Sequence, residues 1–336
     1  MTRDRMSRSE FFAKVSALSD DDLRAAMWTL YWRGTAAMRE RVEAVIDPAT
    51  ALASAVARNT PRDAAAALAE VEYFTELASH GAYLAGDRRV SPKERGRWRF
   101  TFRRLATDAQ DALRGTDPET ASKALALMVD LACRSRDWDM FRSEDPMEAA
   151  RFVVSDVVEA LWFRMRVIRG ATGFLGDATR QLVCWESEYG WTRYGQGWVA
   201  DKERQLADVL AGMLTTPDLW RAAGEAYLAA LDRVDLEKPN TRKAGMDMKE
   251  LSSNLSQWNG LLIDHLTAPD EAALVDRIIT HPALRGPEAV FLQARVARDR
   301  GDLTASRRLI AQCLKSLPGH YGFRAFAEEI GVPIPD

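Results

Sequence analysis

At 336 residues, with 47% hydrophobic and 28% charged residues, the chain can bury a sizeable core and is not disordered by composition. A formal net charge of -3 excludes a globally basic nucleic-acid binder but leaves room for a local basic patch. The three cysteines, Cys133, Cys184 and Cys313, lie far apart, form no metal-spaced pair, and read as small buried hydrophobes in a reducing compartment.

The first residues, MTRDRMSRSEFF, carry charges where a secretory signal needs an apolar centre. No run approaches the roughly 18 uninterrupted apolar residues of a membrane span, so the expectation is a cytoplasmic chain with no membrane association. Apolar residues recur at helical spacing almost throughout, and alternating runs are nearly absent. In SDDDLRAAMWTLYWRG, Ser19 is placed to cap the amide of Asp22, and Gly34 stops the helix before Thr35 caps a second one reaching Ile46. These two helices, joined by RGT, have the order of a helix-turn-helix, but the acidic start and Trp28, Tyr31 and Trp32 favour core packing. Pro61 and Gly86 bracket the next helical region; SPKERGRWRFTFRRLATDAQDALRG and ASKALALMVDLACRSR follow. Further helices are expected at 146–169, 175–189, 199–214, 217–234, 246–266 and 269–281. The glycines of RGATGFLGDATR (169–180) lack the preceding strand and the lysine of a phosphate cradle, so an inter-helix turn is the reading there.

Short turns between helices favour antiparallel neighbours, and this many helices exceed one bundle core. The expected fold is all-α, stacked antiparallel helical hairpins forming an α-solenoid. Three regions follow: an N-terminal helical hairpin or cap (1–58), a central array (59–236) and C-terminal hairpins (246–336), with one continuous solenoid as the alternative. EKPNTRKAGMDMKEL (237–251) is the linker candidate.

PEAVFLQARVARDRGDLTASRRLIAQCLKSLP (287–318) resembles a single tetratricopeptide repeat. Ala294 and Ser306 take its small-residue positions, Gly301 the turn, Ile310 the large apolar position and Pro318 the close. Gln293 and Ala297 depart from it, standing where the family has larger side chains. The resemblance implies that the first helix of the unit lines a groove, presenting Phe291, Arg295 and Arg298 to an acidic peptide.

Catalytic patterns are absent from the sequence. His80, His265, His281 and His320 are widely spaced and form no metal pair; no G-x-S-x-G elbow and no phosphate loop is present. No cofactor and no metal are expected. Two surfaces carry binding chemistry instead. Between Arg88 and Arg104 stand eight basic residues against Glu94 alone. At about 100° per residue, Trp98, Phe102, Leu105, Ala109 and Leu113 form an inward stripe. Phe100 then points the opposite way, flanked by Lys93, Arg97, Arg103 and Arg104, which suits an acidic partner or nucleic-acid phosphates with a stacked base. Burial of Phe100 by a neighbouring helix is the competing reading. The second surface is YGWTRYGQGW (189–198), where Tyr189 and Trp198 belong to flanking helices and Trp191, Arg193 and Tyr194 are left for a partner, or for plugging a seam.

The sequence therefore favours a non-enzymatic cytosolic helical-repeat scaffold or adaptor that binds another protein or an acidic peptide, of undetermined oligomeric state. The alternatives are a nucleic-acid-associated protein working through the basic helix at 93–104, and an enzyme with an unrecognised site in a helical cavity.

Overall fold

The structure, a computed structural model, describes residues 6–47, 60–84, 87–189, 196–234 and 248–334, without the side chains of 136–137, 187–189 and 248–250. Among these residues there are 17 α-helices and no strand, so the chain is all-α. No described helix is long and apolar enough to cross a membrane. The chain divides into two compact units, Met1–Pro61 and Arg62–Asp336.

The first unit holds α1 (Arg8–Val15), α2 (Asp20–Arg33) and α3 (Ala36–Ile46). Ser7, Ser19 and Thr35 cap them, accepting the amides of Glu10, Asp22 and Met38. Expected as core, Trp28 and Trp32 are instead 60% and 68% exposed, and no residue of the three helices is buried. The hairpin covers α2 only in part: Leu23 and Tyr31 are half-buried, while Met27 and Leu30 are exposed together with Trp28 and Trp32. Trp28 stacks on Trp32 at 5.7 Å, and the Tyr31 hydroxyl donates to Glu43 of α3 at 2.7 Å.

The second unit contains α4 (Ala64–Ser79), α5 (Pro92–Ala112), α6 (Pro118–Asp137), α7 (Pro146–Ala150), α8 (Val154–Gly173), α9 (Leu175–Tyr189), α10 (Leu206–Ala211) and α11 (Pro217–Leu231). After these come α12 (Met248–Asn254), α13 (Ser256–His265), α14 (Ala272–Ile279), α15 (Pro287–Asp299), α16 (Leu303–Ser316) and α17 (Tyr321–Glu329). One local grammar recurs at helix starts: a capping side chain followed by proline, at Ser91–Pro92, Asp117–Pro118, Asp145–Pro146 and Thr216–Pro217. The proline supplies a helix-ready φ and spends no amide that the first turn would leave bare.

Helix α4 lies along α6, α5 packs on both, α9 lies along α11, and α15 with α16 forms a tight hairpin. Trp98 stacks on Phe141 at 4.1 Å, and Phe74, Phe102 and Phe152 close an aromatic core around that pair. A separate apolar cluster, including Ile310, Cys313, Phe323 and Phe326, joins α15, α16 and α17.

Three expected helices are interrupted. The 146–169 helix is two, α7 and α8, because Arg151 takes a left-handed conformation (φ 50°) that ends α7. The 246–266 helix breaks between α12 and α13 at Leu255, whose ψ is 4°. The 199–214 helix is a turn over 197–202 and then the short α10. Within α8, Gly170 adopts φ 81° and kinks the helix, so the glycine-rich stretch is a bend between α8 and α9. Arg169 holds that bend by pairing with Glu119 of α6 and Asp177 of α9.

Candidate functional site

The inward stripe of α5 is buried as its spacing dictates, with Trp98, Phe102, Leu105, Ala109 and Leu113 at most 4% exposed. Phe100 is therefore turned outward and is 53% exposed, with the Arg99 guanidinium 4.8 Å from its ring centre. Lys93 and Arg97 are exposed and have no ion-pair partner among the described residues. The other two flanking cations are occupied. Arg103 donates from Nε to the Ala150 carbonyl at 3.0 Å, and Arg104 pairs with Glu70 at 2.8 Å and Asp108 at 2.9 Å. The crest thus has Lys93, Arg97 and Arg99 around an aromatic, while Arg103 and Arg104 tie α5 to its neighbours.

Of the aromatic loop, Trp191, Arg193 and Tyr194 lie outside the described residues. Trp198, expected in packing between helices, is 40% exposed, with Lys202 Nζ at 4.1 Å and Arg151 at 5.5 Å from its ring centre. The chain after it is held by carboxylates rather than by helix bonds, which is why α10 starts late. Glu148 accepts the Val199 amide at 2.8 Å, and Glu186, 1% exposed, accepts the Leu206 amide at 3.1 Å. Glu203 reaches back to accept the amides of Val154 at 2.5 Å and Ser155 at 3.0 Å. That carboxylate caps α8, whose own N-cap position is Val153 and offers no side-chain oxygen. Gly197 (φ 128°) lets the backbone pass the Glu148 carboxylate, where a Cβ would stand 2.8 Å from Oε2.

The third set separates. Phe291 and Arg295 line a cavity of about 270 Å³ walled by α12, α13, α15 and the start of α17, with Ser256, Leu261 and Phe323 opposite them. Arg298 is elsewhere, paired with Asp299 and with Glu329 of α17, both at 2.8 Å. Arg295 itself is paired with Asp264 at 2.6 Å, so neither arginine carries free charge. A second hollow of about 640 Å³ opens between Pro287, Val290, Gln312, Ser316 and Leu317. Ser253 and Glu288 belong to the walls of both, so the two hollows adjoin at these residues. Glu288, half-buried in the first turn of α15, has no ion-pair partner among the described residues. Sequence reasoning passed over it because a glutamate after Pro287 reads as an ordinary helix-start residue.

The histidines serve structure. His80 bonds the Glu76 carbonyl at 2.8 Å, His265 stacks on Trp220 at 3.8 Å, and His320 caps α17 while stacking on Phe323. His281 accepts the Ala283 amide at Nδ1, so its Nε2 proton faces Asp232 at 3.1 Å. Asp264, adjacent to His265 in sequence, is engaged by Arg295. Among the described residues no three His, Cys, Asp or Glu side chains converge as a metal-ligating group. Asp130 holds its proton more tightly than an ordinary aspartate because it is buried, against the hydrogen bond it accepts from Trp185 Nε1 at 2.6 Å.

Comparison with protein-family models, with curated proteins and with solved structures returned no match.

Proposed function

We propose that the protein is a non-enzymatic, cytosolic helical scaffold that holds a segment of a partner protein in the groove walled by α12, α13, α15, α16 and α17. The observation carrying this reading is that two open hollows adjoin at Ser253 and Glu288, a surface suited to a segment of chain. A tetratricopeptide-like character of the α15–α16 hairpin supports it. Ala294 and Ser306 are both fully buried where the helices meet, with Ser306 Oγ donating to the Ala294 carbonyl at 2.9 Å. In such an array, helices stack as an α-solenoid and leave their first helices facing a partner. A photo-crosslinking residue placed at Gln312, in the groove wall, should capture one partner segment, whereas the same residue at exposed Phe163 of α8 should not. Equal capture at both positions, or none at Gln312, rejects the reading.

A second reading rests on the α5 crest, where exposed Phe100 is surrounded by Lys93, Arg97 and Arg99, suited to phosphates and a stacked base. It requires binding of a single-stranded oligonucleotide that weakens steeply with salt and is lost in a Lys93→Glu/Arg97→Glu variant. Salt-independent binding, or none, removes it.

A further inference from the structure

The groove is not electrically neutral, and its sign is opposite to the one its arginines suggest. Arg295 is cancelled by Asp264 at 2.6 Å, and Arg298 lies outside the hollows with Glu329 and Asp299. What stays uncompensated is the Glu288 carboxylate, half-buried on the wall that the two hollows share. We propose that the groove takes a cationic peptide segment, with one Lys or Arg of the partner seated against Glu288 and apolar neighbours in the hollows on either side. The proposal rests on the scaffold reading above and specifies its partner.

Charge complementarity selects this occupant. An opposite charge placed beside a half-buried carboxylate gains about four times the attraction it would find in open water. An acidic segment at the same place would meet the carboxylate and be repelled. The reach of that negative charge is visible in the wall itself. The Cys313 thiol, which lines the second hollow with Glu288, is pushed up to about 12, first by burial and then by the Glu288 charge. Each hollow has an apolar part beside its polar groups: Phe291, Leu292 and Leu261 in the first hollow, Val290 and Leu317 in the second. Ser253 and Ser256 on one side and Gln312 and Ser316 on the other offer hydrogen bonds to an extended backbone. The pattern recognised is therefore apolar–basic–apolar.

The test uses the full chain and three fluorescent peptide pools with the same degenerate apolar flanks and a central Arg, Gln or Glu, read by anisotropy. The wild type should bind the Arg pool best. Glu288→Gln should weaken that pool by roughly tenfold, a charged hydrogen-bond partner lost, and leave the Gln pool unchanged. Glu288→Arg should transfer the preference to the Glu pool, with unaltered helical circular dichroism showing that the fold persists. If all pools bind the wild type equally, and Leu317→Glu removes that binding, the groove binds peptide without charge selection; the inference fails while the scaffold reading stands. If no pool binds, both fail. An Arg preference that survives Glu288→Arg also overturns the inference.

Discussion

Replacing Glu203 by alanine removes the cap of a helix that begins 49 residues earlier. In the folded protein this carboxylate accepts the amides of Val154 at 2.5 Å and Ser155 at 3.0 Å, and Val153 offers no local substitute. Loss of a helix cap costs about 0.5–2 kcal/mol, and a hydrogen bond to a charged group is worth about 1.5–3 kcal/mol. The two bonds share one acceptor and the bare amides regain some water, so the combined cost is about 2–4 kcal/mol rather than their sum. For a unit of this size that lowers the thermal midpoint by roughly 3–7 °C. Glu203→Gln keeps one acceptor oxygen and should fall about midway. Thermal unfolding followed by circular dichroism measures the loss, and hydrogen exchange localises it, because the Val154 and Ser155 amides should lose protection in the alanine variant. A midpoint within about 1 °C of wild type, with both amides still protected, would refute the capping argument.

The fully buried Tyr227 hydroxyl donates to Asn259 Oδ1 at 2.9 Å, while Asn259 Nδ2 has no partner among the described residues. Tyr227→Phe and Asn259→Leu should each cost about 1–3 kcal/mol in urea unfolding, and the double variant less than their sum; strict additivity would contradict this. Arg169 hydrogen bonds hold Glu119 below the ordinary carboxylate range; for Asp177 burial pushes upward but the bonds from Arg169 and Arg180 outweigh it. Both folded values are depressed, so their stabilisation is complete above the ordinary range and is lost as pH falls through the lowered values. Arg169→Met should flatten the decline in urea midpoint between about pH 5 and 2, and an unchanged slope would count against this pairing. Gly197→Ala should destabilise by about 1–3 kcal/mol, from the φ of 128° and the nearby Glu148 carboxylate; an unshifted melting curve would show that the turn yields freely. A thiol reagent should modify exposed Cys184 rapidly and buried Cys133 and Cys313 only on unfolding, and three equal rates would be inconsistent with this burial.

The helical class was legible because period and caps are local: Ser19, Thr35 and the α5 stripe sit where spacing puts them. Interruptions were not, since the late start of α10 depends on Glu148 and Glu186, carboxylates far away in sequence. The same holds for the candidate site. Phe291 and Arg295 could be placed on one helical face, but their partners Phe323 and Asp264 come from other helices, and only those partners reveal which charge is already cancelled. The outward aim of Phe100 was readable from angle alone, whereas the occupation of Arg103 by the Ala150 carbonyl was not. Trp28 and Trp32 show the limit of composition, because large apolar side chains enter a core only where a second surface exists to cover them.

The long-range cap on α8 also sets an order of assembly during synthesis. Val154 and Ser155 leave the ribosome 49 and 48 residues before the carboxylate that satisfies them. Through that interval the Val154 and Ser155 amides lack the carboxylate that caps them, and the bend at Gly170 and all of α9 are synthesised before it. A nascent chain stopped before residue 203 would carry α8 with a frayed beginning, and one extended a few residues past it would not. The segment that follows the aromatic loop therefore acts as a late clasp, closing a helix that was laid down two elements earlier.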